Sequence, residues 1–158
     1  MCERQDEQTK AIAMLSTNVV SHNDPAGRLS CKRPDVTSET CTISVVIAWV
    51  NPLELLLPCL ESLERQTGRR ADEVIVVTRW DESEQHRLLC SYPAIDVLSA
   101  SANTPITSLR SIGIKRASGD VIAVTEDHCV PCGDWISTIE LQMKRGCAVV
   151  GGPVENAS

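Results

Sequence analysis

The chain has 158 residues, enough for one domain with a substantial core and too few for two ordinary ones. Its net charge of −6, with 15 Lys and Arg against 21 Asp and Glu and no basic run, excludes the electrostatic footprint of a nucleic-acid binder. With no Phe and a single Tyr, the 42% of hydrophobic residues must build an aliphatic core of Val, Ile, Leu and Ala, as α/β domains do.

The start, "MCERQDEQTKAIAML", lacks a basic cap followed by the apolar run of a secretion signal, and no stretch approaches the ~20 apolar residues of a membrane span. The cytoplasm is therefore the expected location. Eight scattered cysteines, several inside apolar segments, read as free thiols rather than as a disulfide framework. Residues 1–41 hold few large apolar side chains and several turn formers, as in "SHNDPAGRLS", and read as a poorly ordered leader with at most one short helix. The domain is expected over 42–158.

From there, apolar and β-branched runs predict strands at 43–48, 73–78, 95–100, 121–126 and 147–152, each of the kind buried on both faces of a parallel sheet. Helical patterns fill the gaps. Pro58 suits an early helix position, with Leu56, Leu60 and Leu63 on one face and Thr67–Gly68 as the stop. A weaker helix spans 81–92. Thr104 and Pro105 read as cap and first residue of a third, with Ile106, Leu109, Ile112 and Ala117 apolar and Gly119 as its end. Asp134 caps a fourth, whose inward residues are Trp135, Ile136, Ile139 and Met143, closed by Gly146. The order βαβαβαβαβ predicts a Rossmann-like, mostly parallel sheet with helices on both faces.

In such sheets ligands sit beyond the carboxyl ends of the strands, where the strand order reverses. That edge would carry "WVN" at 49–51, "TRWDES" at 78–83 and "EDHCVPC" at 126–132. Neither a dinucleotide-binding glycine turn nor a P-loop is present. Two patterns remain. Glu126, Asp127 and His128 read either as ligands for Mg²⁺ or Mn²⁺ bridging to a diphosphate or as a solvated acidic turn. Cys129 and Cys132 read as a thiol redox pair, as half of a zinc site or as incidental. Trp49 and Trp80 end strands at this edge, and each either stacks on a nucleobase or packs against its own loop.

Taken in order, "ISVVIAWVN", "LPCLESLERQTG", "EVIVVT", "SLRSIGIKRASGDVIAVTEDHCVPCGDW" and "AVVGGPVEN" resemble the donor-binding half of family 2 glycosyltransferases with the GT-A fold, over residues 43–156. The resemblance implies that Glu126, Asp127 and His128 stand at the three positions of a DxD motif, which binds a nucleotide sugar through Mn²⁺ or Mg²⁺, with Asp127 and His128 holding the metal. Nucleotide-sugar contacts are expected from Trp49, Asn51, Trp80, Asp81, Arg110, Glu126 and Asp127. The family usually has a carboxylate where His128 stands, and an Asp for the base where this chain has Thr78, Arg79 and Trp80, so Asp81 would have to substitute. No residue matches the family's catalytic base. The acceptor half is expected to be missing, the exposed sheet edge would invite self-association or a partner chain, and a non-catalytic nucleotide-binding or interaction module is the alternative to an enzyme. The redox and zinc readings of the cysteine pair recede beside this pattern, because Asp134, the helix cap, lies beyond the pair and no second pair of ligands exists.

Overall fold

A computed structural model describes residues 11–15 and 41–152. Its elements are β1 (Ala11–Leu15), β2 (Ile43–Trp49), α1 (Leu53–Glu64), β3 (Glu73–Thr78), α2 (Glu82–Ser91), β4 (Asp96–Ser99), α3 (Ile106–Arg116), β5 (Val121–Glu126), α4 (Trp135–Lys144) and β6 (Val149–Gly152). The strands form one sheet in the order β4-β3-β2-β5-β1-β6, and every neighbouring pair is parallel. Among the described residues no helix is long and apolar enough to cross a membrane.

Alternation along β2 divides the core. Ile43, Val45, Ile47 and Trp49 face a layer with Leu56, Cys59, Leu60 and Leu63 of α1, Leu88 of α2, and Ile136, Ile139 and Met143 of α4. Val46 and Ala48 face the opposite layer with Ile75, Val77, Ile122, Val124 and Leu109 of α3. Helices therefore cover both faces. At Gly113 helix α3 lies so close to the sheet that a Cβ would overlap Val46 Cγ1, which only glycine avoids.

Two differences from the sequence reading concern the chain's course. Ala11–Leu15 forms a strand inside the segment expected to be a leader: it pairs with Val121–Val124 of β5 on one side and with Val149–Gly152 of β6 on the other. The rest of that expected leader lies outside the described residues. In addition, α1 starts at Leu53, so Pro58 sits inside the helix rather than at its first turn. Pro58 is exposed, which leaves the Glu54 carbonyl that it cannot serve open to water.

The chain runs β2, β3, β4 outward on one side and then returns to place β5 on the other side of β2. The strand order reverses between β2 and β5, so their carboxyl ends, Trp49 and Glu126, flank the crevice that such sheets use for ligands.

Candidate functional site

At that crevice the residue after β5, Asp127, turns inward and is 1% exposed. Its Oδ2 accepts the backbone N–H groups of Val50 and Asn51, each at 2.7 Å, and its Oδ1 accepts Asn51 Nδ2 at 2.8 Å. His128 Nδ1 lies 3.2 Å from the same Oδ1. A carboxylate has about four acceptor positions, and here protein groups fill them. Burial alone would raise the Asp127 carboxyl, but the backbone and side-chain donors of Asn51 and the Val50 amide outweigh it and hold the group below its ordinary range. The carboxylate thus ties the end of β5 to the loop after β2. These contacts hold the Asp127 carboxylate from the protein side.

Its neighbours Glu126 and His128 are more exposed, in a turn that the Cys129 N–H closes on the Glu126 carbonyl at 3.1 Å. Glu126 is ion-paired with Arg110 of α3, and its other oxygen lies 3.6 Å from His128 Nε2. The His128 side chain is about half exposed at 47%. His128 thus lies between two carboxylates, with Nδ1 beside Asp127 and Nε2 beside Glu126. Among the described residues no group of three His, Cys, Asp and Glu side chains is arranged to hold a metal. Glu126 and His128 are two donors of oxygen and imidazole type, suited to a Mg²⁺ or Mn²⁺ ion that takes its remaining ligands from water and phosphate.

Asn51 is the hub of the adjoining loop. Trp49 Nε1 and Trp80 Nε1 both donate to its carbonyl, at 2.8 and 3.0 Å, and the two rings lie 6.4 Å apart. Trp49 is fully buried, so its ring has no face for a nucleobase and takes the packing role instead. Trp80 is only partly buried. Asp81 caps α2, accepting the Glu84 N–H at 3.1 Å; this explains the residue locally and leaves the expected base contact without support.

Gln66, which the sequence reading did not single out, holds the loop on the other side of the triplet. It is 6% exposed, donates through Nε2 to the Cys132 carbonyl at 2.7 Å and accepts the Ile136 N–H at 3.0 Å. Thr67 adds bonds from its N–H and hydroxyl to the Gly133 carbonyl. The only signal was a Gln-Thr pair at the end of an amphipathic helix, whose partners lie some seventy residues away.

The six cysteines among the described residues are free. Burial pushes the thiols of Cys129 and Cys132 up, and that of Cys59 up to about 12, the opposite of what a reactive thiolate needs. Replacing Cys129 and Cys132 together by Ser is expected to shift stability by about 1 kcal/mol or less and to leave ligand binding unchanged. A bound zinc ion lost in that variant would contradict this.

A doubly wound α/β domain with its polar groups gathered at the carboxyl edge of the switch point defines the class. The chain matches "Glycosyl transferase family 2" over residues 44–158, and it belongs to that family. It is 27% identical to Glycosyltransferase AglE of Haloferax volcanii, over 76% of this chain and 41% of the relative. It is 28% identical to Probable N-acetylgalactosaminyltransferase 7 of Caenorhabditis elegans, over 78% of this chain and 22% of the relative. The chain thus spans well under half the length of these relatives. The crystal structure of S. aureus TarS 1-349 shares the GT-A fold with a TM-score of 0.59 at 16% identity, covering 66% of this chain and 32% of that one.

Proposed function

We propose that the crevice between β2 and β5 binds the diphosphate of a nucleotide sugar together with Mn²⁺ or Mg²⁺, for glycosyl transfer to an acceptor. The observation that carries this reading is the partly exposed pair Glu126 and His128 at the carboxyl end of β5, beside the buried Asp127. Glu126 and His128 would hold the cation in place of the DxD carboxylates, and Asp127 would stand behind them. When bound, the cation neutralises charge on the departing diphosphate.

The chain's own residues supply the rest. Arg110 offers a planar fork to phosphate oxygens. Asn51, fixed through its N–H, side-chain amide and carbonyl, sets the position of the loop that borders the donor. Trp80, partly exposed beside it, is the remaining aromatic candidate for the base. Free thiols at the described cysteines favour a reducing compartment, so the cytoplasm belongs to this proposal.

Calorimetric titration of UDP and of GDP, with and without Mn²⁺, tests the reading. Mn²⁺ is expected to tighten binding of at least one of them by about tenfold or more, corresponding to ~1.4 kcal/mol. His128→Ala and Glu126→Gln should each lose most of that gain while the fold persists, because both side chains are partly exposed. Equal binding of both nucleotides with and without Mn²⁺ would overturn the cation site.

A further inference from the structure

The far side of the sheet holds a gap that a distant segment fills. From β2 to β6, strands and helices alternate without interruption, and β5, α4 and β6 form a parallel β-α-β unit. Its two strands are not neighbours, because β1 lies between them. The crossover through α4 therefore skips one strand position and leaves a slot ~10 Å across, two strand spacings. Residues 121–124 of β5 form one wall and Val149–Gly152 the other, and both pair with Ala11–Leu15. An empty slot would leave two rows of backbone N–H and C=O groups without partners and β6 without its strand neighbour. The slot thus requires an occupant.

That occupant is joined to the rest of the sheet by a long tether. Among the described strands β1 stands outside the alternating run, and the 27 residues 16–42 separate Leu15 from Ile43. A chain of that length extends to ~90 Å. The carboxyl end of β1 and the amino end of β2 are separated by one strand length and two strand spacings, little more than ~20 Å. The segment AIAML is uncharged and holds to both walls by main-chain pairing, which the identical segment of a second copy would form equally well. Only the tether distinguishes the two.

We propose that the slot between β5 and β6 is a strand-acceptor groove with an exchangeable occupant, and that its partner in trans is the Ala11–Leu15 segment of a second copy, giving a reciprocally exchanged dimer. The tether supplies an effective concentration in the millimolar range or below, so the exchanged form grows as the protein concentration approaches that range. It replaces the monomer outright when the tether is too short to close. Neither cation nor nucleotide takes part in the exchange.

A parallel crossover needs about a dozen residues or more. Deleting residues 19–38 leaves seven between Leu15 and Ile43, so β1 of the shortened chain cannot fill its own slot. Light scattering is expected to show a dimer of the shortened chain at about 10 µM, far below the effective concentration of the intact tether, where the full-length chain is a monomer. Adding Ala13→Pro, which removes an N–H from an inner strand, should return the shortened chain to a monomer, and Ala13→Val, which keeps that N–H, should not. A second arm keeps the full-length chain and decides on its own. A fluorescent peptide of residues 8–18 should bind full-length Ala13→Pro at least about tenfold more tightly than wild type, whose own strand competes for the slot, and the peptide carrying Ala13→Pro should bind neither.

A shortened chain that stays folded and monomeric would overturn the exchange. So would a dimer that survives Ala13→Pro, because its contact would then lie at an outer edge of the sheet. Equal peptide affinity in wild type and full-length Ala13→Pro would remove the slot as the binding site and overturn it as well.

Discussion

Asp127→Ala is expected to lower the free energy of unfolding by about 3–5 kcal/mol, the range for removing one partner of a buried charged network. The substitution leaves the N–H groups of Val50 and Asn51 without their acceptor at the junction of β2 and β5, and frees the Asn51 side chain. It also releases His128 from the carboxylate that orients its ring. Urea denaturation would register the first effect, and loss of Mn²⁺-dependent nucleotide binding the second. The pH dependence follows from the same bonds. Asp127 and Glu73 both have carboxyls held below their ordinary values. For Glu73, burial opposes the shift and the donors Ser118 and Ser44 outweigh it. A lowered carboxyl contributes stability that is complete above its unfolded value, near 3.8 for Asp127, and is lost as pH falls through the lower folded value. Wild type should therefore lose stability steeply in acid, and Asp127→Ala should show a shallower acid limb. Equal acid sensitivity in the two proteins would contradict that assignment.

Trp49→Ala is expected to cost about 3–5 kcal/mol as well, the range for truncating a fully buried large aromatic side chain. Trp49→Phe should cost much less, about 1–2 kcal/mol, because most of the volume remains and the Asn51 carbonyl keeps the Trp80 indole at 3.0 Å. The pair of variants separates packing from base stacking. A packing residue changes stability in proportion to lost volume and leaves the nucleotide affinity of Trp49→Phe close to wild type. A stacking residue would lower the affinity for nucleotides in both variants at little cost in stability, and that outcome would contradict the burial of Trp49.

Where the sequence is periodic, its reading matched the structure. The five apolar runs became strands, and burial on both faces explains the central β2, β3 and β5, whereas β4 and β6 are only partly buried or exposed. Ala11–Leu15 escaped because five small and medium residues flanked by charge carry little signal of their own; β5 and β6, more than a hundred residues away, decide their conformation. The inward side chain of Trp49 was legible in principle from its register with Ile43, Val45 and Ile47, whereas that of Asp127 depends on the turn after β5. The family pattern drew attention to Glu126, Asp127 and His128 as ligands. The partners of Gln66 and the pairing of Arg110 with Glu126 depend on loop geometry and on contacts between distant segments, which spacing does not encode.

The imidazole of His128 is the feature that sets this crevice apart from a pair of carboxylates, and the bond to a metal proposed for it is open to direct test. Pulsed electron paramagnetic resonance of Mn²⁺ bound together with a nucleoside diphosphate is expected to show nitrogen hyperfine coupling from His128 Nε2 beside the phosphorus coupling of the nucleotide. The nitrogen signal should vanish in His128→Gln. A spectrum of protein-bound Mn²⁺ with phosphorus coupling and no nitrogen coupling in wild type would contradict the assignment of His128 to the cation.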